Sequence, residues 1–266
     1  MNLDIEQLVS FVLKKPRSFL YTHPDYQLSA DEQQQYDALL KRYQRGEPLA
    51  YLIGEQAFHN IVLKVTPDVL IPRPETELLV EKCLELLPKD KKLVIGDLGT
   101  GSGAIALALA SERTNWQIIA TDKSNTALAI AKKNADLLNL NNIKFYQGDW
   151  CAALPKQKFA VIISNPPYID KDDPELEAAV KQYEPNSALL AADNGLADLK
   201  IIALQAKDYL QADGWLLLEH GYCQGETVAE YLRELNYKQV QTFLDLAGLP
   251  RVTAGHYPHP ALSRKR

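Results

Sequence analysis

Three cysteines, Cys83, Cys151 and Cys223, are all this chain has. They are odd in number, far apart and without a C-x-x-C pair, which excludes a disulfide framework and a zinc site and points to a reducing compartment. The five histidines include no H-E-x-x-H, so metal catalysis has no support and no metal site is expected. No run approaches 18 apolar residues, and Asp4 and Glu6 stand where a signal peptide needs positive charge. The chain therefore reads as soluble and cytoplasmic, away from membranes. Positive charge is not in excess either: 29 Lys and Arg face 34 Asp and Glu, for a formal charge of -5. With a pI near 5.6, affinity gained by neutralising phosphates is disfavoured, and stable nucleic-acid binding is not expected. A protein partner or a small molecule fits better. Internal repeats and low-complexity segments are lacking as well.

What remains is a chain of 266 residues, 46% hydrophobic and 24% charged, enough for one large domain and a small one. Its first part is helical with polar faces. Leu3, Leu8, Phe11 and Val12 follow a rough 3.6 period, and Ser29-Ala30-Asp31-Glu32 forms a capping box before a helix that runs to about Arg45, where Gly46 stops it. Between Pro48 and Pro74 the pattern changes to short apolar runs, Ile61-Val62-Leu63 and Val69-Leu70-Ile71, around the turn at Pro67-Asp68. These are expected to pair as a β-hairpin linking two domains. Pro72-Arg73-Pro74 then opens a helix with Glu75 and Glu77 at its positive end.

From Lys92 onward strands and helices alternate: 93–97, 104–111, 117–122, 125–138, 143–147 and a run ending at Ser164. Helices over 196–210 and 225–235 and strands over 215–219, 238–243 and 251–255 follow, the last two as a closing pair. This spacing means βαβ units, hence a mostly parallel sheet of Rossmann type covered on both faces.

Four strand ends carry chemistry. Gly99-Thr100-Gly101-Ser102-Gly103 joins the first strand of the sheet to its helix, where glycines let a ligand approach the backbone and the helix start offers free N–H groups. Asp122, ending the next strand, can hold ribose hydroxyls, and Asp149-Trp150, ending the third, offers an acceptor and an indole near an adenine. Gly99, Gly101 and Ala104 also satisfy the dinucleotide pattern, so this loop alone leaves a dehydrogenase open. After the fourth strand comes Asn165-Pro166-Pro167-Tyr168. Two prolines end any ladder, leaving the carbonyls of Asn165 and Pro166 and the Asn165 amide to a ligand, with Tyr168 as an aromatic wall. Such acceptors suit a planar group bearing NH2. The two loops share one rim, and that adjacency favours a methyl donor facing an amide-gripping loop over a hydride-transfer pocket.

The sequence resembles the bacterial peptide chain release factor glutamine methyltransferases. The likeness rests on Gly46-Glu47-Pro48 to Gly54, Leu70-Ile71-Pro72-Arg73-Pro74-Glu75-Thr76-Glu77, the glycine loop, Asn165-Pro166-Pro167-Tyr168-Ile169, Glu184-Pro185, Leu218-Glu219-His220-Gly221 and Arg251-Val252-Thr253. It implies a class I methyltransferase fold, seven-stranded, mostly parallel and with an antiparallel last strand. It also implies S-adenosylmethionine as donor, S-adenosylhomocysteine as product, and as substrate the Gly-Gly-Gln glutamine of release factors. By this resemblance Gly99, Thr100, Gly101, Ser102 and Gly103 hold the methionine part of the cofactor, Asp122 its ribose and Trp150 its adenine. Asn165, Pro166, Pro167 and Tyr168 hold the substrate amide, with Asn165 touching cofactor as well and Asn165 and Tyr168 carrying the catalysis. The expected division is 1–54 helical and substrate-docking, 55–72 hairpin linker and 73–266 catalytic, in a monomer. Arg73 either lines the substrate entrance or pairs with Glu75 or Glu77. The basic end Arg264-Lys265-Arg266 lies outside the family pattern and reads as a solvated tail. A methyltransferase for adenine or cytosine amines in nucleic acid, which also uses Asn-Pro-Pro-Tyr, is the main rival, and a non-catalytic cofactor-binding regulator the other.

Overall fold

Polar-faced helices open the chain. In the computed structural model, which describes residues 2–172 and 178–258, α1 (Leu3–Leu13), α2 (Ser18–Thr22), α3 (Ala30–Gln44) and α4 (Leu49–Ile53) pack on one another. The capping box of α3 forms as the sequence predicts: Ser29 Oγ accepts from Glu32 N at 3.3 Å, and Ser29 N donates to Glu32 Oε2 at 2.8 Å. The phase of α1 differs from the expected one. Leu8, Val12 and Leu13 are buried together with Glu6, whereas Leu3 and Phe11 remain exposed. The reason is electrostatic: α2 folds back so that Arg17 (2.6 Å) and Tyr21 (2.7 Å) donate to the Glu6 carboxylate, which lets an acidic residue take an inward position.

The hairpin also pairs differently. β1 (Glu55–Phe58) and β2 (Ile61–Lys64) are antiparallel, and His59 turns between them with φ +51°. Val69-Leu70-Ile71 is no strand. Val69 and Ile71 pack with Tyr51, Val65 and Ala127, and Tyr51 Oη donates to the Val69 carbonyl at 2.6 Å, so side chains take up the edge that a partner strand would have used. The tail Arg264-Lys265-Arg266 lies outside the described residues.

A short 3-10 turn (Pro74–Thr76) leads into α5 (Glu77–Leu86), and the alternation then follows almost as predicted. It runs β3 (Val94–Leu98), α6 (Ala104–Glu112), β4 (Gln117–Asp122), α7 (Asn125–Leu137), β5 (Ile143–Gln147), β6 (Phe159–Ser164), α8 (Ala178–Tyr183), α9 (Ala197–Ala206), β7 (Leu210–Glu219), α10 (Gly225–Glu234), β8 (Lys238–Leu244) and β9 (Pro250–Tyr257). The seven strands stand in the order β5-β4-β3-β6-β7-β9-β8, with β9 antiparallel to both neighbours. All six residues of β6 are buried, which is why this stretch reads as an unbroken apolar run rather than as an alternation. α6 is buried from Ala104 through Ala110, small residues letting it lie close against the sheet. Among the described residues no helix is long and apolar enough to cross a membrane.

Asn134, on α7, joins the hairpin to the sheet. Its Oδ1 accepts from Lys64 N at 2.8 Å, and its Nδ2 donates to the carbonyls of Lys64 (3.0 Å) and Ser102 (2.9 Å). Replacing it by leucine would leave three backbone groups without partners in a site that water barely reaches. Asn134→Leu is expected to lower the unfolding free energy by about 2–4 kcal/mol in a denaturant titration, and a loss below about 0.5 kcal/mol would contradict the role given to this side chain.

Candidate active site

Strand order reverses between β3 and β6: the chain leaves β3 toward β4 on one side and reaches β6 on the other. Such a reversal opens a crevice at the carboxyl ends of the strands. Leu98 and Ser164, the last residues of these two strands, sit opposite each other, and Ser164 Oγ donates to the Leu98 carbonyl at 2.7 Å. The glycine loop begins one residue after the first and Asn165 one residue after the second. Both loops thus leave from one rung.

The glycine loop is fixed from several sides. Thr100 N donates to the Thr121 carbonyl at 2.9 Å, Thr100 Oγ1 to Asp97 Oδ2 at 2.6 Å, and Gly101 N to Asp122 Oδ2 at 2.9 Å. Gly103 has φ +90°, and a Cβ there would lie 2.7 Å from the Leu107 side chain, so only glycine fits at the start of α6. The Thr100 and Ser102 side chains are buried. What this loop presents to a ligand is therefore mainly backbone.

Two clefts meet at Asn165. One, of about 570 Å3, is lined by Gly99, Gly101, Asp122, Trp150, Asn165 and Pro167, with Asp198 of α9 at its edge. The other, of about 610 Å3, is lined by Arg73, Asn165, Pro166, Tyr168, Gln224 and Arg251. Successive residues of the loop thus serve opposite sides: Pro167 faces the first cleft, Pro166 and Tyr168 the second, and Asn165 both. The loop is pinned by Gln224 Nε2, which donates to the Tyr168 carbonyl at 3.0 Å, and by Asn165 Nδ2, which donates to Thr76 Oγ1 at 3.1 Å. With Nδ2 engaged there, Asn165 Oδ1 and the Pro166 carbonyl accept no hydrogen bond among the described residues.

Trp150 opens a 3-10 turn (Trp150–Ala153) with φ +41°, and its ring edge lies 3.1 Å from where a Cβ of Gly99 would be. Burial raises the Asp198 carboxyl above its ordinary range, and the Trp150 indole and Lys123 hold it down. Asp122 is likewise raised by burial, while the N–H groups of Ser124 and Gly101 favour its charge. Burial pushes Asp97 up to about 7 against the Thr100 hydroxyl, and Glu219, at the end of β7, up to about 7 against Thr76, Arg251 and Tyr168. Tyr168 Oη donates to Glu219 Oε1 at 3.2 Å, and burial raises this phenol. His220 is buried between the Gly221 carbonyl and the Thr253 hydroxyl, and burial lowers it, which keeps the imidazole neutral at pH 7.

The structure gives Arg73 a partner other than those expected. It pairs with the buried Glu184, not with Glu75 or Glu77, and Glu184 Oε2 also accepts from Ile71 N at 3.1 Å. Arg73 lines the second cleft at the same time. Thr76, Glu184, Asp198 and Glu219 were not singled out by sequence reasoning as site residues. Glu219 had a visible signal, an acid ending the apolar run Trp215-Leu216-Leu217-Leu218. For Thr76 and Glu184 the signal was their place in the family motifs Pro72-Arg73-Pro74-Glu75-Thr76-Glu77 and Glu184-Pro185, and Asp198 had none.

The first cleft fits an adenosyl sulfonium group. The space beside Gly101 where a Cβ would project is open, so backbone lies bare to the cleft. Asp122 offers acceptor lone pairs for hydroxyls, the Trp150 ring an apolar wall, and Asp198 further negative charge.

Fold and clefts together define a class I methyltransferase. Residues 74–212 match the family model of the methyltransferase small domain, and residues 2–54 that of the PrmC N-terminal domain. The release factor glutamine methyltransferase of Coxiella burnetii is 50% identical, covering 94% of this chain and 90% of its own, and that of Escherichia coli K12 is 46% identical, covering 96% and 91%. The chain belongs to the release factor glutamine methyltransferase family. Solved structures share the fold: a methyltransferase from Pyrococcus furiosus (TM-score 0.58, 17% identity, covering 84% of this chain and 99% of its own) and the ribosomal protein L11 methylase of Lactobacillus delbrueckii (TM-score 0.53, 22%, 70% and 81%).

A carboxyl whose folded pKa lies above its unfolded value binds its proton more tightly in the folded protein, so its contribution to stability is present below the unfolded pKa and is lost as pH rises through the folded one. For Asp97 that window runs from the ordinary carboxylate range up to about 7. Asp97→Asn should therefore gain in unfolding free energy relative to the parent between about pH 4 and about pH 7, the interval over which the parent loses this contribution. Denaturant curves of parent and variant that stay parallel over this range would contradict the assignment.

Proposed function

We propose that the rim between the two clefts is where this chain performs its family's reaction, methylating the side-chain amide nitrogen of the glutamine in the Gly-Gly-Gln motif of peptide chain release factors. The observation that carries the reading is the position of Asn165, which faces both clefts with its oxygen uncommitted. Gly99, Thr100, Gly101, Ser102 and Gly103 hold S-adenosylmethionine through the backbone, Asp122 takes its ribose hydroxyls and Trp150 lies beside its adenine. Bound there, S-adenosylmethionine supplies an electrophilic methyl on a sulfonium centre.

Asn165 Oδ1 and the Pro166 carbonyl accept the two N–H groups of the substrate amide. An amide nitrogen is a poor nucleophile because its lone pair is delocalised into the carbonyl, and two fixed acceptors hold it partly pyramidal. Each such neutral bond contributes only about 1 kcal/mol net, whereas alignment of reacting atoms can contribute roughly 7–11 kcal/mol, so positioning is the larger effect. The same oxygens stabilise the positive charge that moves onto nitrogen, and they do so more strongly than they bind the neutral amide. As nitrogen takes the methyl, the methyl–sulfur bond would break to leave S-adenosylhomocysteine as a neutral thioether, and the surplus N–H proton would pass to water in the second cleft. Tyr168, held by Glu219, presents a ring face to the flat amide. Arg73 and Arg251 border the second cleft, where the rest of the substrate loop lies.

In this reading residues 1–54 dock the release factor, 55–72 link, and 73–266 carry the reaction. The unpaired state of all three cysteines accords with a reducing cytoplasm, the compartment of translation termination.

Labelled-methyl transfer tests the substrate: a release factor should be labelled, and the same factor with Gln→Asn in Gly-Gly-Gln and duplex DNA should not. Labelled DNA, or an unlabelled release factor, would end the reading. Asn165→Ala should lower the single-turnover rate by about 100-fold, the scale of losing one preorganised polar contact to developing charge, and change S-adenosylhomocysteine affinity by less than about threefold. Trp150→Ala should weaken that affinity by about tenfold and leave the rate at saturation nearly unchanged. The reverse pattern in either variant would refute the role given to that residue.

A further inference from the structure

The turn between β8 and β9 carries leucines of which the core makes no use. Leu244, Leu246 and Leu249 are exposed in or beside this turn, and Leu246 projects wholly into solvent. Exposed turns tend to be mobile, but this one is held in a single shape. Asp245 Oδ1 accepts from Ala247 N and Leu249 N, both at 3.0 Å. Gly248 N donates to the Asp245 carbonyl and Asp245 N to the Leu249 carbonyl, both at 2.9 Å. Arg251 closes the set, its Nε and Nη2 each donating to Asp245 Oδ2 at 3.2 Å. Apolar surface fixed in advance loses little entropy when it is covered, which is what a contact site needs.

Beside the turn, a groove of about 560 Å3 lies against α5, lined by Pro74, Glu75, Leu78, Glu81, Phe243 and Leu244. Leu78, Phe243 and Leu244 make it apolar, while Glu75 and Glu81 are exposed at its α5 side. Lys82, which also lines it, pairs with Glu85 at 2.8 Å, so the rim is negative. The groove is continuous with the second cleft. Arg73 borders that cleft and Pro74, next in the chain, lines the groove; Arg251 borders the cleft and holds Asp245 in the turn. A protein whose glutamine reaches into the second cleft lays its neighbouring chain over this ridge. An apolar hollow with an acidic rim takes from it an apolar side chain flanked by lysine or arginine. A second copy of this chain fits poorly, since at a formal charge of -5 it brings acid to acid.

We propose that the β8–β9 turn and the groove beside α5 are a docking surface for the release factor, separate from the helical region over 1–54. It seats an apolar side chain and flanking basic residues of the domain that carries Gly-Gly-Gln. The surface sets affinity for the intact factor and leaves methyl transfer alone, because neither Leu246 nor Glu81 lines either cleft at the rim. The proposal rests on the reading that the second cleft takes the glutamine.

Leu246→Asp, Leu246→Met and Glu81→Lys are compared with the parent in single turnover on an intact Gly-Gly-Gln release factor, which gives the half-saturating factor concentration and the rate at saturation. S-adenosylhomocysteine affinity is measured by calorimetry and mass by sedimentation. Leu246→Asp should raise the half-saturating concentration by about tenfold or more, the scale of keeping one leucine in water. Leu246→Met, still apolar, should stay within about threefold of the parent. Glu81→Lys should raise it by about threefold or more, and the rise should shrink as salt is added. In all three, the rate at saturation and cofactor affinity should stay within about twofold, a split that a loosened fold would not produce. An unchanged half-saturating concentration in Leu246→Asp or in Glu81→Lys, a loss in Leu246→Met equal to that in Leu246→Asp, or a loss confined to the rate at saturation would each overturn the proposal. So would a parent dimer that Leu246→Asp splits without weakening the hold on the factor, since the turn would then join two copies of this chain. Should Leu246→Asp fail to fold, Leu246→Ala takes its place, with an expected rise of about fivefold. Asn165→Ala separates the two claims: full turnover there removes the second cleft as the glutamine's site, whereas loss there with an unchanged half-saturating concentration in Leu246→Asp removes only the docking surface.

Discussion

The hydrogen bond from Ser164 Oγ to the Leu98 carbonyl ties together the two strand ends from which the glycine loop and the Asn-Pro-Pro-Tyr loop depart. β3 and β6 are neighbours only because strand order reverses between them, and their ends are level because Leu98 pairs with Ser164. A slip of one residue in that register would turn every β6 side chain to the opposite face of the sheet and carry Asn165 away from the glycine loop. Complete burial of β6 makes such a slip costly. The chemistry of the rim is thus a consequence of how the core packs.

Beneath the rim lies a second set of polar contacts that connects segments distant in sequence. Asn134 grips the hairpin and the glycine loop, Glu184 grips Arg73 and the Ile71 N–H, and Gln224 grips the loop after β6. The ion pair of half-buried Arg73 with buried Glu184 adds little net stability over an apolar replacement, but it allows few alternative geometries. Here it fixes the segment before α5, and with it Thr76, against the rim. Asp97 and Glu219 are buried acids beneath the two loops, and the free-energy cost of burying them is offset by the apolar core around them.

Much of this architecture was legible in the sequence because buried parallel strands leave unbroken apolar runs and crossover helices separate them at regular intervals. Asn-Pro-Pro-Tyr was legible for another reason, since two prolines cannot continue a strand and whatever follows must be loop. The hairpin was misread because Ile61-Val62-Leu63 and Val69-Leu70-Ile71 are equally apolar, and nothing local tells a strand from a segment that packs its side chains under Tyr51. The inward turn of Glu6 depended on Arg17 and Tyr21, 11 and 15 residues away. Thr76 and Asn165 are 89 residues apart, and Arg73 and Glu184 are 111 apart. No pattern of spacing predicts such pairs, because they are set by how finished elements dock.

Asn165 forms a wall common to two clefts, one proposed for the donor and one for the amide. The most direct measurement is a crystal structure of the enzyme with S-adenosylhomocysteine and a release factor carrying Gly-Gly-Gln. The sulfur is expected on the side of Gly101 and Trp150, and the glutamine amide is expected to enter past Tyr168 with its N–H groups on Asn165 Oδ1 and the Pro166 carbonyl. A glutamine nitrogen bonded elsewhere, or protein lying between it and the sulfur, would contradict this arrangement.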